Sequence, residues 1–276
     1  MTVPNLSAPP ALELIARNTA SDSDNKIHDD AEARRYGYAG GLVPGVTLYA
    51  YLTRLAVETY GAAWLEGGTA ECGFRRPVYE GERIRCEGEI VEGAALDLRV
   101  LRDGTVCAAG RAAAGGERES VEPVVPLGGS VAGPLPELRP GHVPIGVPLA
   151  PLHSVLTLED AARYADDTDD PNPWYRGDSP FGGALVPPGW LAARQAPLIR
   201  QNFQFGPSIH VRSVIRHCAP AFAGRAYTTA GIIGETFERN GNHYLVMDAE
   251  TRDDQDRIVY RVVHTTIFSV RTTAGG

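Results

Sequence analysis

Cysteine is scarce in this sequence, and long apolar runs are absent. The four cysteines, Cys72, Cys86, Cys107 and Cys218, follow no CxxC spacing, so neither a metal-binding nor a redox pair is predicted. Four cysteines in 276 residues are also too few for a disulfide framework, and reduced thiols are expected. No apolar stretch approaches the roughly 18 residues that a membrane span needs, and the N-terminus lacks a signal-peptide pattern. We therefore expect a cytoplasmic protein that does not enter a membrane.

Several familiar site motifs are missing as well. The net charge is −8 and no block of Lys or Arg is present, which argues against a nucleic-acid partner. No His/Cys cluster has zinc spacing, and the acidic strings at 22–24 and 28–30 lack the central glycine of a calcium loop. There is no GxSxG nucleophile motif, no P-loop and no dinucleotide fingerprint. The sequence therefore predicts no metal and no cofactor, which leaves acid/base chemistry by side chains.

Proline and glycine, by contrast, are concentrated in one stretch between residues 114 and 151. Proline removes amide donors and glycine adds backbone entropy, so no regular element is expected there. The chain length suits two domains of roughly 130 residues each. We predict a first domain over 1–115, a linker over 116–150 and a second domain over 151–272.

The same order of segments occurs on both sides of this linker. An Asp/Asn-rich loop comes first, at 21–30 and 166–175, and these are named the first and second motif loops. A glycine turn into an apolar helix follows, at 40–45 and 182–189, and then a turn before strands, at 76–83 and 219–226. The offsets are all similar, so an internal duplication is indicated.

Each half is predicted to contain one long apolar helix and several antiparallel strands. The helices are expected over 46–65 and 190–203. Because the first is apolar on most of its surface, it must be wrapped on several sides, and a curved antiparallel sheet around one helix, the hotdog arrangement, does this. The fold class is therefore α+β, a tandem double hotdog in which sheet edges join into about ten strands. The strands are expected at 11–18, 69–76, 83–92, 94–102 and 105–113, and at 153–158, 208–218, 226–237, 243–252 and 257–270.

The two motif loops resemble the D-x-N-P-x-H-x-D pattern of the MaoC-like, (R)-specific enoyl-thioester hydratase/dehydratase family, double-hotdog type. The first loop matches at Asn25, His28 and Asp30, but has Ser23 where the family has its catalytic Asp and Lys26 in place of Pro. The second loop keeps its acid, amide and proline, at Asp170, Asn172 and Pro173, but has Tyr175 in place of the His. Neither half keeps the complete set.

The resemblance implies a lyase that adds water to, or removes it from, an acyl thioester carried on coenzyme A or an acyl carrier protein. Such chemistry needs a base for water, an acid for the α-carbon and donors for the thioester oxygen. His28 is the predicted general acid/base and Asn25 the residue that places water, with Asp24 and Asp170 as competing carboxylates. Gly45, at a helix start, is expected near the oxyanion. The other predicted substrate-binding residues are Gly40, Gly41, Asn172, Trp174 and Tyr175.

Three interpretations follow from the incomplete motifs. In the first, His28 acts with Asp24 or Asp22; in the second, Asp170 and Asn172 act with Tyr175 or another residue as the acid. In the third, both sites are crippled hydratases, and the cleft binds an acyl group without turnover or supports another reaction such as isomerisation or cyclisation. The first is favoured because the unperturbed pKa of an imidazole lies near neutrality.

Structural roles compete with each of these assignments. Asp30 fits an N-cap and Asp170 an Asx turn, and Trp174 and Tyr175 fit a pocket wall or core. The strand histidines at 153, 210, 217, 243 and 264 are expected to be structural. An acidic carrier protein would need a basic patch, which six arginines provide unless they form an ordinary solvated face. They are Arg34, Arg35, Arg75, Arg76, Arg83 and Arg85. The fused halves are expected to act as a monomer or to pair again as a homodimer.

Overall fold

A computed structural model describes residues 6–115 and 125–271 of the chain. The described strands form one ten-stranded sheet in which every neighbouring pair is antiparallel. The first half contributes β1 (Leu12–Ile15), β2 (Thr69–Phe74), β3 (Arg83–Val91), β4 (Ala95–Arg102) and β5 (Thr105–Ala113). The second half contributes β6 (Leu152–Val155), β7 (Ile209–His217), β8 (Ala226–Arg239), β9 (Asn242–Asp253) and β10 (Ile258–Ser269).

The strand order shows the duplication directly. Across the sheet it runs β1-β3-β4-β5-β2-β7-β10-β9-β8-β6. Counted from the centre outward, β2, β5, β4, β3 and β1 of the first half match β7, β10, β9, β8 and β6 of the second. The halves meet where β2 pairs with β7, in a register from Thr69 opposite Arg216 to Gly73 opposite Arg212. This confirms the predicted α+β double hotdog, and most strand bounds fall within two residues of the prediction.

The turn between β8 and β9 shows how the sequence sets this register. Asn240 and Gly241 both have positive φ, 53° and 77°, the conformation that a two-residue hairpin of type I′ requires. Asn and Gly tolerate this region best, so the pair fixes the turn and with it the pairing of Arg239 with Asn242.

The central helix of the first half is α2 (Gly45–Tyr60), and it follows the short helix α1 (Asp30–Arg35). Its buried residues lie on most of its circumference, because it packs against the sheet on one side and the second half on another. It stops at Gly61, whose φ of 63° favours glycine, and α3 (Ala62–Gly67) continues from there. The single helix predicted over 46–65 is therefore two helices.

The corresponding helix of the second half is also broken. The sequence predicted one helix over 190–203, but the structure has α5 (Pro188–Ala192) and α6 (Gln195–Asn202). Pro197 has no amide to donate to the carbonyl of Ala193, so a continuous helix cannot pass through this point. The prediction also missed α4 (Leu158–Asp167), which Thr157 caps by accepting a hydrogen bond from the amide of Asp160.

Between the halves, described residues 125–151 contain no helix or strand and lie against the second half. The amides of Gly146 and Leu149 donate to the carbonyls of Ile233 and Gly231 on β8. The predicted domain and linker boundaries remain a prediction, although β5 ends at Ala113 and β6 begins at Leu152. In the described part of the chain, no helix is long and apolar enough to cross a bilayer.

Candidate active site

A cavity of about 310 Å³ lies between the two halves. The first half supplies the end of the first motif loop, the start of α2 and the end of β2, and the second half supplies α5, α6, β7 and β10. The lining is mostly apolar, and none of its residues is an Asp or Glu. Its polar and basic members are Asn25, His28, Tyr38, Arg75, Arg76, Ser208, His210, Tyr244, His264 and Thr266.

His28 is held in one orientation at the wall of this cavity. Its Nδ1 donates to the carbonyl oxygen of Leu42 at 2.7 Å, and because a carbonyl can only accept, Nδ1 carries the proton. The backbone is fixed too, since Asn18 Nδ2 donates to the His28 carbonyl at 2.8 Å. Burial lowers the pKa of His28; the Leu42 hydrogen bond opposes this and the Arg200 charge adds to it. The ring is therefore neutral near pH 7, with an unprotonated Nε2.

Asn25 connects the first motif loop to the second half. Its Oδ1 accepts from the amide of Ser208 at 3.0 Å, and its Nδ2 donates to the carbonyl of Ser208 at 2.8 Å. This reciprocal pair fixes the direction of the amide, so Nδ2 also faces His28 Nε2, at 3.2 Å. The side chain thus holds the imidazole against the second half. A water bound at Nε2 would replace this long contact, and placing that water stays a prediction for Asn25.

Asp30 and the glycine turn support His28 from behind. Asp30 Oδ1 accepts from the amide of Gly41 at 2.8 Å, and this hydrogen bond is the main reason that the pKa of Asp30 is lowered. Asp29, rather than Asp30, is the N-cap of α1, since it accepts from the amide of Glu32. A Cβ on Gly41 would lie 2.2 Å from the His28 carbonyl oxygen, and one on Gly40 would lie 3.0 Å from Asp30 Oδ1.

These two glycines therefore allow the turn to pack closely behind the first motif loop. Neither Gly40 nor Gly41 is among the residues that line the cavity. Direct binding of substrate by them remains a prediction without support from this geometry.

Gly45 begins α2 and lines the cavity. No side chain of its N-cap residue caps this helix. The Thr47 amide donates to the Pro44 carbonyl, whereas the amides of Gly45 and Val46 have no intrahelical partner and lie at the positive end of the helix dipole. A Cβ on Gly45 would lie 3.0 Å from the Phe74 ring and 3.2 Å from His210 Nδ1. The helix start is thus packed closely against aromatic rings of both halves, and it is suited to an anionic oxygen.

Two strand histidines that the sequence suggested were structural also line the cavity. His210 on β7 and His264 on β10 pack with ring centroids 4.4 Å apart. Ser213 bridges them, with its Oγ 2.8 Å from His210 Nε2 and 3.4 Å from His264 Nδ1. No motif marks these residues. His210 has the opposite parity to the buried Ser213 on β7, and an irregularity in the β7–β10 register beside it turns its ring inward, which strand alternation does not predict.

Asp24 and Arg200 are charged residues that do not line the cavity. Asp24 is exposed and does not line it. Burial lowers the pKa of the Arg200 guanidinium, while the Asp24 charge opposes this, and its charge in turn acts on His28. A catalytic role for the Asp24 carboxylate stays a prediction.

The second motif loop has different surroundings. Asp170 is 6% exposed and its Oδ1 accepts from the amide of Asn172 at 3.0 Å, while Asn172 Oδ1 accepts from the amide of Trp174. These are the Asx-turn contacts that the sequence allowed. Burial raises the pKa of Asp170, opposed by the Asn172 amide and by the charges of Arg54 and Arg176.

Tyr175, at the position of the family histidine, is fully buried in the hydrophobic core, and its hydroxyl has no hydrogen-bond partner. Trp174 is half-buried and packs against the same core. Neither of these residues lines the cavity between the halves, nor do Asp170 and Asn172. The structure therefore brings His28, Asn25 and Gly45 together and places the second-loop candidates elsewhere.

No protein-family model matches this chain, and no curated protein matches it. Solved structures do resemble it. A putative MaoC domain protein dehydratase from Chloroflexus aurantiacus is 11% identical, with a TM-score of 0.66 over 98% of this chain and 99% of that one. A conserved hypothetical protein from Mycobacterium tuberculosis, described as having a double hotdog fold, is 14% identical, with a TM-score of 0.63 over 95% and 96%.

The same fold also occurs in proteins that are named for another reaction. A putative oleoyl thioesterase from Lactobacillus plantarum is 9% identical, with a TM-score of 0.55 over 97% of this chain and 99% of that one. The chain is a double hotdog. At these identities the likeness concerns the fold, and the chemistry must be argued from the site. Among the residues that the structure describes, no group of three or more His, Cys, Asp or Glu side chains is arranged to hold a metal ion.

Proposed function

We propose that this chain is a hydratase/dehydratase that adds water reversibly to an α,β-unsaturated acyl thioester. One observation carries the proposal: a neutral imidazole, His28, with its Nδ1 proton fixed by Leu42, lies in the wall of the cavity where α2 begins. A base with an unprotonated nitrogen and a helix start suited to an oxyanion are the two elements that this reaction needs. The resemblance of the first motif loop to MaoC-like hydratases supports the same assignment.

The reaction can be written with His28 as the only group that exchanges protons. In hydration, Nε2 takes a proton from water while the water oxygen bonds to the β-carbon. The π electrons of the double bond move to the α-carbon and the thioester oxygen, which the first amides of α2 stabilise. His28 then gives its proton to the α-carbon and is neutral again. No carboxylate is required at the position of Ser23, which agrees with the absence of Asp and Glu from the cavity lining.

We further propose that the acyl group enters on a phosphate-bearing carrier, coenzyme A or the pantetheine arm of a carrier protein. Arg75 and Arg76 are exposed and line the cavity. Four other members of the predicted basic patch differ from them. Arg34, Arg35 and Arg85 pair with Asp30, Glu32 and Glu13, and Arg83 does not line the cavity. Two cationic side chains at the cavity suit phosphate.

A second candidate function is acyl-thioester binding without turnover. The lack of a carboxylate in the cavity lining favours it, because the family pattern pairs the histidine with an Asp. Both candidates predict binding of the same ligand, and only the first predicts chemistry.

Turnover of crotonyl-coenzyme A tests the proposal. Loss of the conjugated thioester absorbance, and formation of 3-hydroxybutyryl-coenzyme A by mass spectrometry, are expected for the wild-type chain and not for His28→Gln. Crotonyl-pantetheine, which lacks the phosphates, should show a higher KM because Arg75 and Arg76 have no phosphate to bind. Tight binding with no product from enoyl thioesters of several lengths would instead support the binding function.

A further inference from the structure

His210 carries the most informative unexplained polar group near the cavity. Its Nδ1 is sealed from solvent and has no hydrogen-bond partner among the described residues. Leaving a buried nitrogen without a hydrogen bond is costly, so it calls for a structural reason. The ring is wedged between Phe74, at 4.6 Å between centroids, and His264, at 4.4 Å. Its position is therefore set by packing from both halves.

The direction of Nδ1 points to the start of α2. A Cβ on Gly45 would lie 3.2 Å from Nδ1, so this nitrogen lies against the first residue of the helix. The amides of Gly45 and Val46 have no intrahelical partner. Two kinds of unsatisfied group, one from each half, thus meet beside the same cavity, and an oxygen acceptor would satisfy both.

The network behind His210 can fix its protonation. His264 Nδ1–H can donate to Ser213 Oγ, and the Ser213 hydroxyl can then donate to His210 Nε2. With Nε2 accepting, the single proton of neutral His210 is on Nδ1. Burial and, to a smaller extent, the neighbouring His264 lower the pKa of His210 well below its usual value, whereas the Arg212 backbone raises it. In this arrangement the ring is a neutral donor at Nδ1 and does not compete with His28 for the proton of water.

We propose that His210 Nδ1–H and the first amides of α2 together bind the carbonyl oxygen of the acyl thioester, so that each half supplies part of one oxyanion site. This inference rests on the proposed function and extends it to residues outside the motif loops. Ser213 acts as a positioning residue that selects the tautomer of His210. The π electrons that move to the thioester oxygen during hydration are stabilised by this donor, and no proton leaves His210.

The experiment uses His210→Gln, in which the longer amide reaches Ser213 as Nε2 does but leaves no donor at the position of Nδ1. His217→Gln is the matched control, because His217 is another buried imidazole on β7 with an unpartnered nitrogen, but it packs on Trp64 and does not line the cavity. We expect His210→Gln to lower kcat by roughly 10²-fold, as loss of one oxyanion donor does, with little change in KM. His217→Gln should retain wild-type kcat.

Ser213 gives the test of the tautomer. Ser213→Ala should lower kcat by about 10-fold, in the range expected for loss of a supporting hydrogen bond, and Ser213→Thr, which retains the hydroxyl, should restore it. Equal losses in the Ala and Thr variants would contradict the positioning role.

A spectroscopic readout separates this inference from the proposed function. Butyryl-coenzyme A, which is saturated and cannot be hydrated, is labelled with ¹³C at the thioester carbonyl and bound to each protein. The infrared stretch of the bound carbonyl should lie below that of the free thioester and should move back toward it in His210→Gln, but not in His217→Gln. This outcome would stand even if the wild-type chain turned over no enoyl thioester. Wild-type turnover and an unchanged carbonyl stretch in His210→Gln would overturn the inference and leave the proposed function intact; failure of the thioester to bind would overturn both.

Discussion

The two motif loops occupy equivalent places in the two halves, but their surroundings differ. The first loop ends at His28, whose ring borders a cavity shared with the second half. The second loop ends at Tyr175, whose ring is enclosed in the core with its hydroxyl unpartnered. The strand order is the same on both sides of the β2–β7 pairing, so the backbone arrangement alone does not make a site. The difference lies in which side chain follows the loop and in what packs against it.

The helix starts show a second difference between the halves. In the first half, Gly45 begins a helix of 16 residues and leaves its amides beside the cavity. In the second half, Pro187 and Pro188 occupy the corresponding turn, and the helix ends after five residues at Ala192. Proline has no amide, so one donor that an oxyanion would use is missing there. Under the proposed function, the second half lines the cavity and supplies His210, and the first half holds the acid/base centre.

The largest expected difference between the halves is in turnover. His28→Gln should lower kcat/KM for crotonyl-coenzyme A by roughly 10²–10⁴-fold, because the general base is lost. Tyr175→Phe, at the equivalent position, should leave it within about threefold, since the phenol touches no cavity. The Phe variant should also be as stable as the wild type, because an unpartnered buried hydroxyl is removed. Steady-state kinetics and thermal denaturation measure both. A comparable loss in the two variants would mean that both loops contribute to catalysis.

The pH dependence tests which residue is the base. Burial, with a smaller contribution from Arg200, lowers the pKa of His28 below its usual 6.5. The base form is therefore present at neutral pH, and kcat/KM should be level there and fall only as the pH drops through this lowered value. Asp170 would give a different profile: burial raises the pKa of this carboxyl, and Asp170→Asn would then remove the acid limb. If the fall in kcat/KM at low pH is unchanged in Asp170→Asn and absent in His28→Gln, the titrating base belongs to the first motif loop.

The smallest of these effects concerns one glycine from each of the two glycine turns. A Cβ on Gly41 would lie 2.2 Å from the His28 carbonyl oxygen, whereas one on Gly183 would meet Phe222 at an ordinary 3.4 Å. Gly41→Ala should therefore destabilise the fold by about 1–3 kcal/mol through overpacking and lower kcat severalfold by moving His28. Gly183→Ala should change the free energy of unfolding by less than about 1 kcal/mol. Chemical denaturation of the pair measures this, and equal costs would show that the turns are equally tight.

Much of the fold could be predicted from local sequence because its signals are local. Alternating β-branched and aromatic residues define strands such as β9 and β10, and the Asn240-Gly241 turn determines the pairing of β8 with β9. The helix breaks were missed because they depend on single residues, Gly61 and Pro197, within otherwise helical runs. Helix α4 was missed because the strand-like string HSVLTL leads directly into its cap at Thr157.

The candidate site was only partly predictable, for a physical reason. His28, Asn25 and Gly45 lie in one contiguous motif, and the structure brings them together. The links of Asn25 to Ser208 and of Gly45 to His210 span more than a hundred residues. These contacts arise from packing between the halves, which the periodicity and motif spacing of the sequence do not predict. The exposure of Asp24 likewise depends on the path of its loop, which the sequence pattern does not predict.

The pairing of β2 with β7 within a single chain has an evolutionary consequence. When two identical subunits associate, every substitution appears twice, so a residue that suits one pocket is imposed on its twin. In a fused chain each copy mutates alone. One loop can then lose its histidine to a core tyrosine while the partner copy retains its imidazole, and the composite pocket cannot come apart on dilution because its two contributors are covalently joined.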